Sequence, residues 1–302
     1  MDSGRTQKLT GMALMVGSVL IFVVMNVLVK ASRIPSGEKV FFRMLVGLFA
    51  VFVMVRISWV RMEFNNIPLL ALRGVLGAFA VVFYFHAIDN TALGRAVFFQ
   101  FTYPAWGALF SYLFLKESLG WKRLPALAGT FVGAYLILAS GGGLSLREIR
   151  PGDISGILCG LFSGAAVTTV RACHKYDSTY MIFLNFAFFG TLAGAVITFG
   201  REGYIPPSHW EWALLAAIGV TGTAAQILFT AGYRHLDVPA AGAIATFQAP
   251  LSALVGWRLF EEPLATRFAL GGALVLAGGI YLAVSSRGKT IERAAIPEPP
   301  SE

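Results

Sequence analysis

Two apolar stretches of the sequence carry neutral polar side chains immediately before a proline. The residues concerned are Gln100, Tyr103 and Pro104 in the first stretch and Thr246, Gln248 and Pro250 in the second. Amides and hydroxyls donate and accept hydrogen bonds, so together they can meet both the ammonium and the carboxylate of a zwitterionic solute. Proline lacks a backbone N–H and bends a helix. Inside a bilayer such a break persists only where neighbouring groups or a wet cavity satisfy the freed backbone.

Further polar and aromatic residues lie in other apolar stretches. Asn26 and Gln226 are flanked by apolar residues, and Tyr84 and His86 end the third stretch just before the fourth begins. This adjacency predicts that aromatic side chains of the two stretches wall one pocket. The alternatives are hydrogen bonding between helices for the polar residues and contact with lipid for the aromatic ones. The predicted substrate-binding residues are Asn26, Tyr84, His86, Gln100, Tyr103, Trp106, Gln226, Thr246 and Gln248.

The acidic residues mark the ends of the stretches. Glu117 and Glu262 each follow a proline-containing stretch, and we predict gating or structural roles for them and for Pro104 and Pro250. None of the 16 acidic residues lies in the middle of a stretch, where pumps place the carboxylates of a proton relay. His86 is then the titrating group nearest the predicted pocket. We therefore expect solute movement without obligatory proton coupling.

Two basic residues flank the link between the first two stretches. Lys30 and Arg43 carry long side chains, which in membrane proteins extend along apolar surface to the interface. We expect that placement for both. The alternative is that they steer an anionic group of a solute.

The composition identifies an integral membrane protein. The mean hydropathy of the 302 residues is +0.69 and only 13% of them are charged, against about 25% in soluble domains. The net charge of +8 comes from single basic residues spread between apolar runs, so no nucleic-acid-binding surface is expected. Cys159 and Cys173 lie 14 residues apart on one predicted helix. That spacing is about 21 Å along a helix, too far for a disulfide.

Apolar stretches of spanning length divide the chain into two halves. They run near residues 10–29, 40–60, 67–88, 94–115, 122–140, 153–173, 179–199, 210–231, 239–259 and 266–285. The apolar run of the first is too long for a signal peptide, so it is expected to remain as a span. The predicted parts are a first repeat at 1–140, a connecting loop at 141–152, a second repeat at 153–286 and a disordered cytoplasmic tail at 287–302.

Several residues recur between the halves at a constant spacing. Gly11, Ser18 and Lys30 precede Gly156, Ser163 and Lys175 by 145 residues each. Because each half holds five stretches, an odd number, the two repeats must have opposite orientations in the membrane. Lys and Arg are somewhat more frequent on the side that is cytoplasmic when both termini are inside. The fold class predicted is therefore all-α, with ten transmembrane helices as two inverted five-helix repeats.

The ordered motifs resemble the EamA-like members of the drug/metabolite transporter superfamily. They are Phe41-Phe42-Arg43, Arg73-Gly74, Pro104 followed by Leu115-Lys116-Glu117, and Pro250 followed by Glu261-Glu262-Pro263-Leu264. The resemblance covers residues 10–285. It implies a central cavity lined by the first, third, fourth, sixth, eighth and ninth helices, and alternating-access export of amino acids or similar small metabolites across a bacterial inner membrane. Among such proteins it is similar to aromatic amino acid exporters of the YddG type.

The sequence supports other functions less well. An intramembrane hydrolase would need Ser163 within hydrogen-bond reach of His86, and the spacing gives no sign of it. The sequence lacks a phosphate-binding GxxxxGK[S/T] loop and a metal-ligand spacing of histidines, so no cofactor or metal is expected. The expected partners are a small solute and the bilayer, with the chain as a monomer or weak homodimer. Transport of nucleotide-like metabolites and lipid scrambling remain alternatives.

Overall fold

The computed structural model describes residues 2–57, 62–115, 121–140, 149–173, 175–236 and 238–285, and most of these residues are helical. Within those ranges the chain forms twelve α-helices and no strand. The helices are α1 Asp2–Ala31, α2 Ser36–Ile57, α3 Ile67–Asn90, α4 Leu93–Gln100, α5 Tyr103–Leu115, α6 Leu124–Ala139, α7 Pro151–Cys173, α8 Thr179–Ala195, α9 His209–His235, α10 Val238–Thr246, α11 Gln248–Phe260 and α12 Thr266–Ser285. The predicted tail at 287–302 and most of the predicted connecting loop lie outside the described residues.

Side-chain caps explain where several helices begin. Asn66 and Ser178 accept hydrogen bonds from the backbone N–H groups of Leu69 and Met181, three residues further on. Ser208 and Glu211 form a reciprocal capping box at the start of α9. Each cap satisfies a donor that the first turn of a helix leaves without a partner.

Two spans are interrupted, and the interruption precedes each proline by a full turn. α4 ends at Gln100 and α10 ends at Thr246, each four residues before Pro104 or Pro250. A helical proline cannot donate to the carbonyl four residues back, and its ring clashes with that carbonyl, so the regular ladder stops there. The expectation of one helix bent at the proline is therefore corrected: each span consists of two helices.

Among the described residues, six helices are long and apolar enough to cross a membrane. They are α1, α2, α3, α7, α9 and α8 with its π-helical continuation Val196–Glu202. Large apolar side chains also cover the outside of the bundle; for example, Phe49 is 69% exposed and Phe114 is 74% exposed. Such a surface is stable in lipid and unstable in water. The prediction of a multi-pass all-α membrane protein is confirmed.

The two halves pack against each other through many helices. α1 lies against α9, α3 against α7 and α8, and α2 against α8 and α9. α7 also crosses the interrupted span, where Gly156 faces Phe99 and Gly164 faces Trp106. The four-residue spacing of glycines along α7 predicts this close approach, because a Cβ at either position would collide with the opposite helix.

Candidate functional site

Buried charges gather at one end of the bundle. There α1, α3, α6 and α11 end, and α2, α4 and α7 begin; we call this region the charged end. Its ion pairs are Lys39–Asp89 at 2.5 Å, Arg95–Asp153 at 3.1 Å and Lys30–Glu262 at 3.7 Å. The Lys39 side chain is fully buried. The last two pairs join the first half of the chain to the second.

Asp153 is the centre of the most buried network at this end. Its carboxylate accepts hydrogen bonds from the Thr91 hydroxyl at 2.6 Å, from Arg95 Nη2 at 3.1 Å and from the Arg150 backbone N–H at 3.1 Å. Arg95 Nη2 also donates to the Leu138 carbonyl at 3.0 Å. Both charges are thus compensated and hydrogen-bonded, which is the condition under which a buried ion pair is tolerated.

Glu262 connects the second interrupted span to the first. Both of its carboxylate oxygens lie 2.8 Å from the Leu93 backbone nitrogen at the start of α4. A carboxylate at a helix N-terminus meets free N–H groups and the positive end of the helix dipole. Lys30 faces the same carboxylate and donates to the carbonyls of Ile88 and Thr91. The equivalent residue of the first half, Glu117, lies outside the described residues.

A second polar cluster lies within the bundle and contains no charge. The Tyr84 hydroxyl donates to Asn26 Oδ1 at 2.9 Å, and Asn26 Nδ2 lies 3.4 Å from the Ser252 hydroxyl. Gln248 of α11 lies near the Tyr84 hydroxyl. The cluster therefore joins α1, α3 and α11, and it brings together three of the predicted substrate-binding residues. We call these four residues the neutral cluster.

The first interruption carries a polar atom without a partner. The side-chain oxygen of Gln100 is buried and accepts no hydrogen bond within the described structure. Tyr103 is half-buried, and its ring lies 6.1 Å from that of Phe101. Trp106 points towards α6, where its ring meets Phe131 edge-to-face at 4.8 Å. Tyr84 and Trp106, which were predicted to wall one pocket, thus have different surroundings. Tyr84 belongs to the neutral cluster, and the Trp106 ring packs against α6.

His86 lies at the charged end. Its Nδ1 is 2.8 Å from the Ser155 hydroxyl. It also borders an open cavity of about 480 Å³ whose other walls include Lys30, Arg33 and Asp89. Ser163, the partner that a hydrolase would require, lies instead 3.8 Å from the sulfur of Cys159 on its own helix.

The remaining predicted residues are three of the second half and Pro104 of the first. Thr246 is buried at the end of α10, beside the interruption, and Pro250 is half-buried in α11. Gln226 is half-buried on α9, one turn from Gly222. Pro104 is half-buried at the start of α5 and approaches Gly279 of α12. Both prolines are thus partly buried, and Pro104 packs against α12.

The expected interfacial placement of Arg43 is wrong, whereas Lys30 lies at a helix end. Lys30 is held by backbone carbonyls, and Arg43 is only 8% exposed. Its Nη1 reaches Met44 Sδ at 3.4 Å, and its guanidinium lies 5.9 Å from the Phe85 ring centroid. The sequence analysis missed Arg95 and Asp153 as well. Each of these two residues is followed directly by an apolar run, and that pattern could have identified them.

One family model matches the chain twice. The EamA-like transporter family matches residues 9–139 and again residues 150–284. The chain belongs to the EamA-like transporter family. The resemblance seen in the motifs is thereby confirmed, and a role in transport follows from the family.

The relatives of this EamA-like chain are also described as transporters. The pseudopaline exporter CntI of Pseudomonas aeruginosa is 29% identical over 91% of this chain and 94% of its own length. An uncharacterized transporter of Helicobacter pylori is 28% identical over 96% of this chain and 99% of its own. A riboflavin transporter of Brucella anthropi is 24% identical over 82% of this chain and 88% of its own.

The fold also occurs among solved structures. One crystal structure of a protein superposes with a TM-score of 0.63 at 17% sequence identity, and the match covers 96% of this chain and all of that one. At this identity the likeness concerns the fold alone.

Proposed function

We propose that the chain is a secondary transporter that exports small organic metabolites, amino acids with aromatic side chains among them, across a bacterial inner membrane. Ten spans form two inverted repeats with both termini in the cytoplasm. The solute passes between the repeats by alternating access. The proposal extends the transport role of the family to a direction, a solute class and a mechanism.

The observation that carries the proposal is the equivalence of the two halves. The same family model matches both, and both contain one interrupted span, α4–α5 or α10–α11. The contacts correspond too: exchanging the halves turns the α1–α9 contact into the α7–α3 contact and leaves α2–α8 and α6–α12 unchanged. Paired discontinuous helices in corresponding positions are typical of transporters with a solute site between repeats.

The proposed solute site lies between the interruptions and the neutral cluster. Gln100 offers a buried oxygen without a donor, and Asn26, Tyr84 and Gln248 converge from three helices. His86, Tyr103, Trp106, Gln226 and Thr246 complete the proposed set. Desolvated amides and hydroxyls select a solute by its hydrogen-bonding groups, since a solute that fails to match them leaves a buried group unpaired.

The charged end is proposed to be the closed side of the molecule in this conformation. Three ion pairs, one of them buried on both sides, and the contact of Glu262 with the Leu93 N–H hold its helix ends together. Glu262 and the two interruptions would then change their contacts when this side opens. The described carboxylates of the pairs lie at helix ends, and we propose that movement needs no obligatory proton gradient.

Comparison of culture media tests this function. Cells expressing the chain and cells carrying an empty vector are grown alike, and metabolites in the medium are compared by mass spectrometry. We expect a small set of organic solutes, amino acids included, to accumulate at least several-fold with the chain. In cells that contain pseudopaline, the solute named for one relative, its level in the medium is measured as well.

Variants locate the site in the same assay. Tyr103→Ala should reduce release of the bulkier solutes at normal membrane abundance, whereas Phe49→Ala on the exposed surface should leave release unchanged. Equal metabolite levels in the media of expressing and control cells would overturn the proposal. Lipid scrambling by the purified protein without solute release would identify a lipid-handling protein.

A further inference from the structure

Arg43 is a buried cation without a counter-charge. It lies eight residues into α2 and is 8% exposed. Within the described part of the chain, no carboxylate comes within ion-pair distance of it, and its Nε has no acceptor. Arginine keeps its proton under all ordinary conditions. A charge buried in this way is strongly destabilising unless something compensates it.

The surroundings of Arg43 hold the side chain without neutralising it. The guanidinium rests against the Phe85 ring, and its one described hydrogen bond goes to the sulfur of Met44, a weak acceptor. Gly222 of α9 makes the space: a Cβ there would lie 2.8 Å from Arg43 Nε and 2.9 Å from Met25 Sδ. Three further helices, α1, α3 and α9, thus surround the group.

The position of Arg43 connects it to the proposed solute site. Phe85, whose ring faces the guanidinium, follows Tyr84, and Met25, whose sulfur borders the same space at Gly222 as Arg43 Nε, precedes Asn26. Gln226 lies one turn along α9 from Gly222, on the same face of the helix. A solute held by the neutral cluster would therefore lie within reach of the guanidinium.

We propose that Arg43 receives an oxyanion of the transported solute, a carboxylate or a phosphate. The planar guanidinium presents parallel N–H donors that match two oxygens of such a group. The inference rests on the proposed function and narrows it: the transported solutes are acids or zwitterions. The neutral cluster then contacts the uncharged parts of the solute, and binding itself supplies a counter-charge that the described part of the chain does not provide.

A two-by-two binding experiment tests the proposal. Full-length protein in detergent is titrated with a solute found in the medium comparison and with the same solute after amidation of its carboxylate or removal of its phosphate. The wild-type protein should bind the acid at least tenfold more tightly. Arg43→Gln should bind both compounds equally, at the affinity of the neutral one, because the charge-assisted contact is lost. Arg33→Gln, at an exposed arginine beside the open cavity, should keep the full preference.

If Arg43→Gln fails to fold, the comparison of the acid with the neutral compound on the wild-type protein still tests the proposal. Arg43→Lys, which keeps the charge and loses the fork geometry, should then show an intermediate preference. Equal binding of acid and neutral compound by the wild type, or export of solutes without any acidic group, would overturn the inference and leave the transport function standing. Absence of any exported solute would overturn both.

Discussion

Arg95 and Arg43 are buried arginines of the same half of the chain, and their surroundings are opposite. Arg95 is 6% exposed and bonds Asp153 and a backbone carbonyl. Arg43 is 8% exposed and meets a sulfur and an aromatic ring. Arg95 faces a carboxylate and a carbonyl, although its Nε has no described acceptor, whereas no carboxylate of the described chain lies within ion-pair distance of Arg43. The comparison separates a charge that holds the fold from one that is available for binding.

The same distinction applies to the regions around the two arginines. The charged end joins helix ends through ion pairs, whereas the neutral cluster joins helices inside the bundle through uncharged groups. Charges near a helix end remain close to the polar interface, where their cost is lower than in the bilayer centre. An uncharged interior cluster can exchange hydrogen bonds with a solute without exposing a charge to lipid.

Breaking the paired arginine should have the largest effect on stability. Arg95→Met leaves Asp153 buried and uncompensated, and removal of one partner of such a pair costs about 3–5 kcal/mol. We expect low abundance and a markedly lower unfolding temperature in detergent. Arg95→Met combined with Asp153→Leu should recover much of the loss. No recovery in the double variant would show that Arg95 acts through contacts other than this pair.

Removing the Tyr84 hydroxyl should have an intermediate effect. Tyr84→Phe leaves Asn26 Oδ1 buried without its described donor, a cost of about 1–3 kcal/mol. Thermal unfolding of the purified variant measures the loss, and Tyr281→Phe, at a 42% exposed tyrosine, is the matched control. Equal unfolding temperatures of the two variants would mean that the neutral cluster is not a structural contact.

Neutralising Glu262 should lower the free energy of unfolding by less than Tyr84→Phe does. Glu262→Gln keeps a hydrogen-bonding oxygen near the Leu93 N–H but removes the charge that faces Lys30 and the helix dipole. Helix-dipole effects of this kind are worth about 0.3–1 kcal/mol. Thermal unfolding measures the loss. A loss of unfolding free energy as large as that of Arg95→Met would mean that the Glu262 charge, like that of Asp153, holds the fold together.

Replacing the unpaired arginine should have the smallest effect on stability. Arg43→Met replaces an uncompensated buried charge with an apolar side chain, so the free energy of unfolding should stay within about 0.5 kcal/mol of the wild-type value or rise. Export of the solute should nevertheless be lost, the usual relation between a functional residue and stability. A drop as large as that of Arg95→Met would remove the contrast between the two arginines.

The sequence predicts the fold class because hydropathy and length determine it directly. It also predicts a distortion at both prolines, but as a bend; the structure instead divides each span into two helices, one turn before the proline, at the carbonyl that proline leaves without a donor. Asn26 and Tyr84 could be found because a polar group inside an apolar stretch requires a partner. Their partner Ser252, 226 residues from Asn26, could not.

The roles of the buried charges depend on contacts between distant segments. Arg43 is near the start of α2, which suggests a side chain reaching the interface; its burial results from α9, where Gly222 admits it. Asp153 pairs with Arg95 across 58 residues, and no periodic pattern links the two. Local sequence therefore indicates which residues are polar, and only the packing of the helices shows which of them lack a partner.

Flux through purified protein in liposomes tests the central claim most directly. Liposomes are loaded with a labelled acidic solute from the medium comparison, at equal pH on both sides, and its release is followed. We predict release down the concentration gradient by the wild-type protein, and release at the protein-free rate by Arg43→Met of normal stability. Release by Arg43→Met at the wild-type rate, or no release by the wild type, would contradict the account.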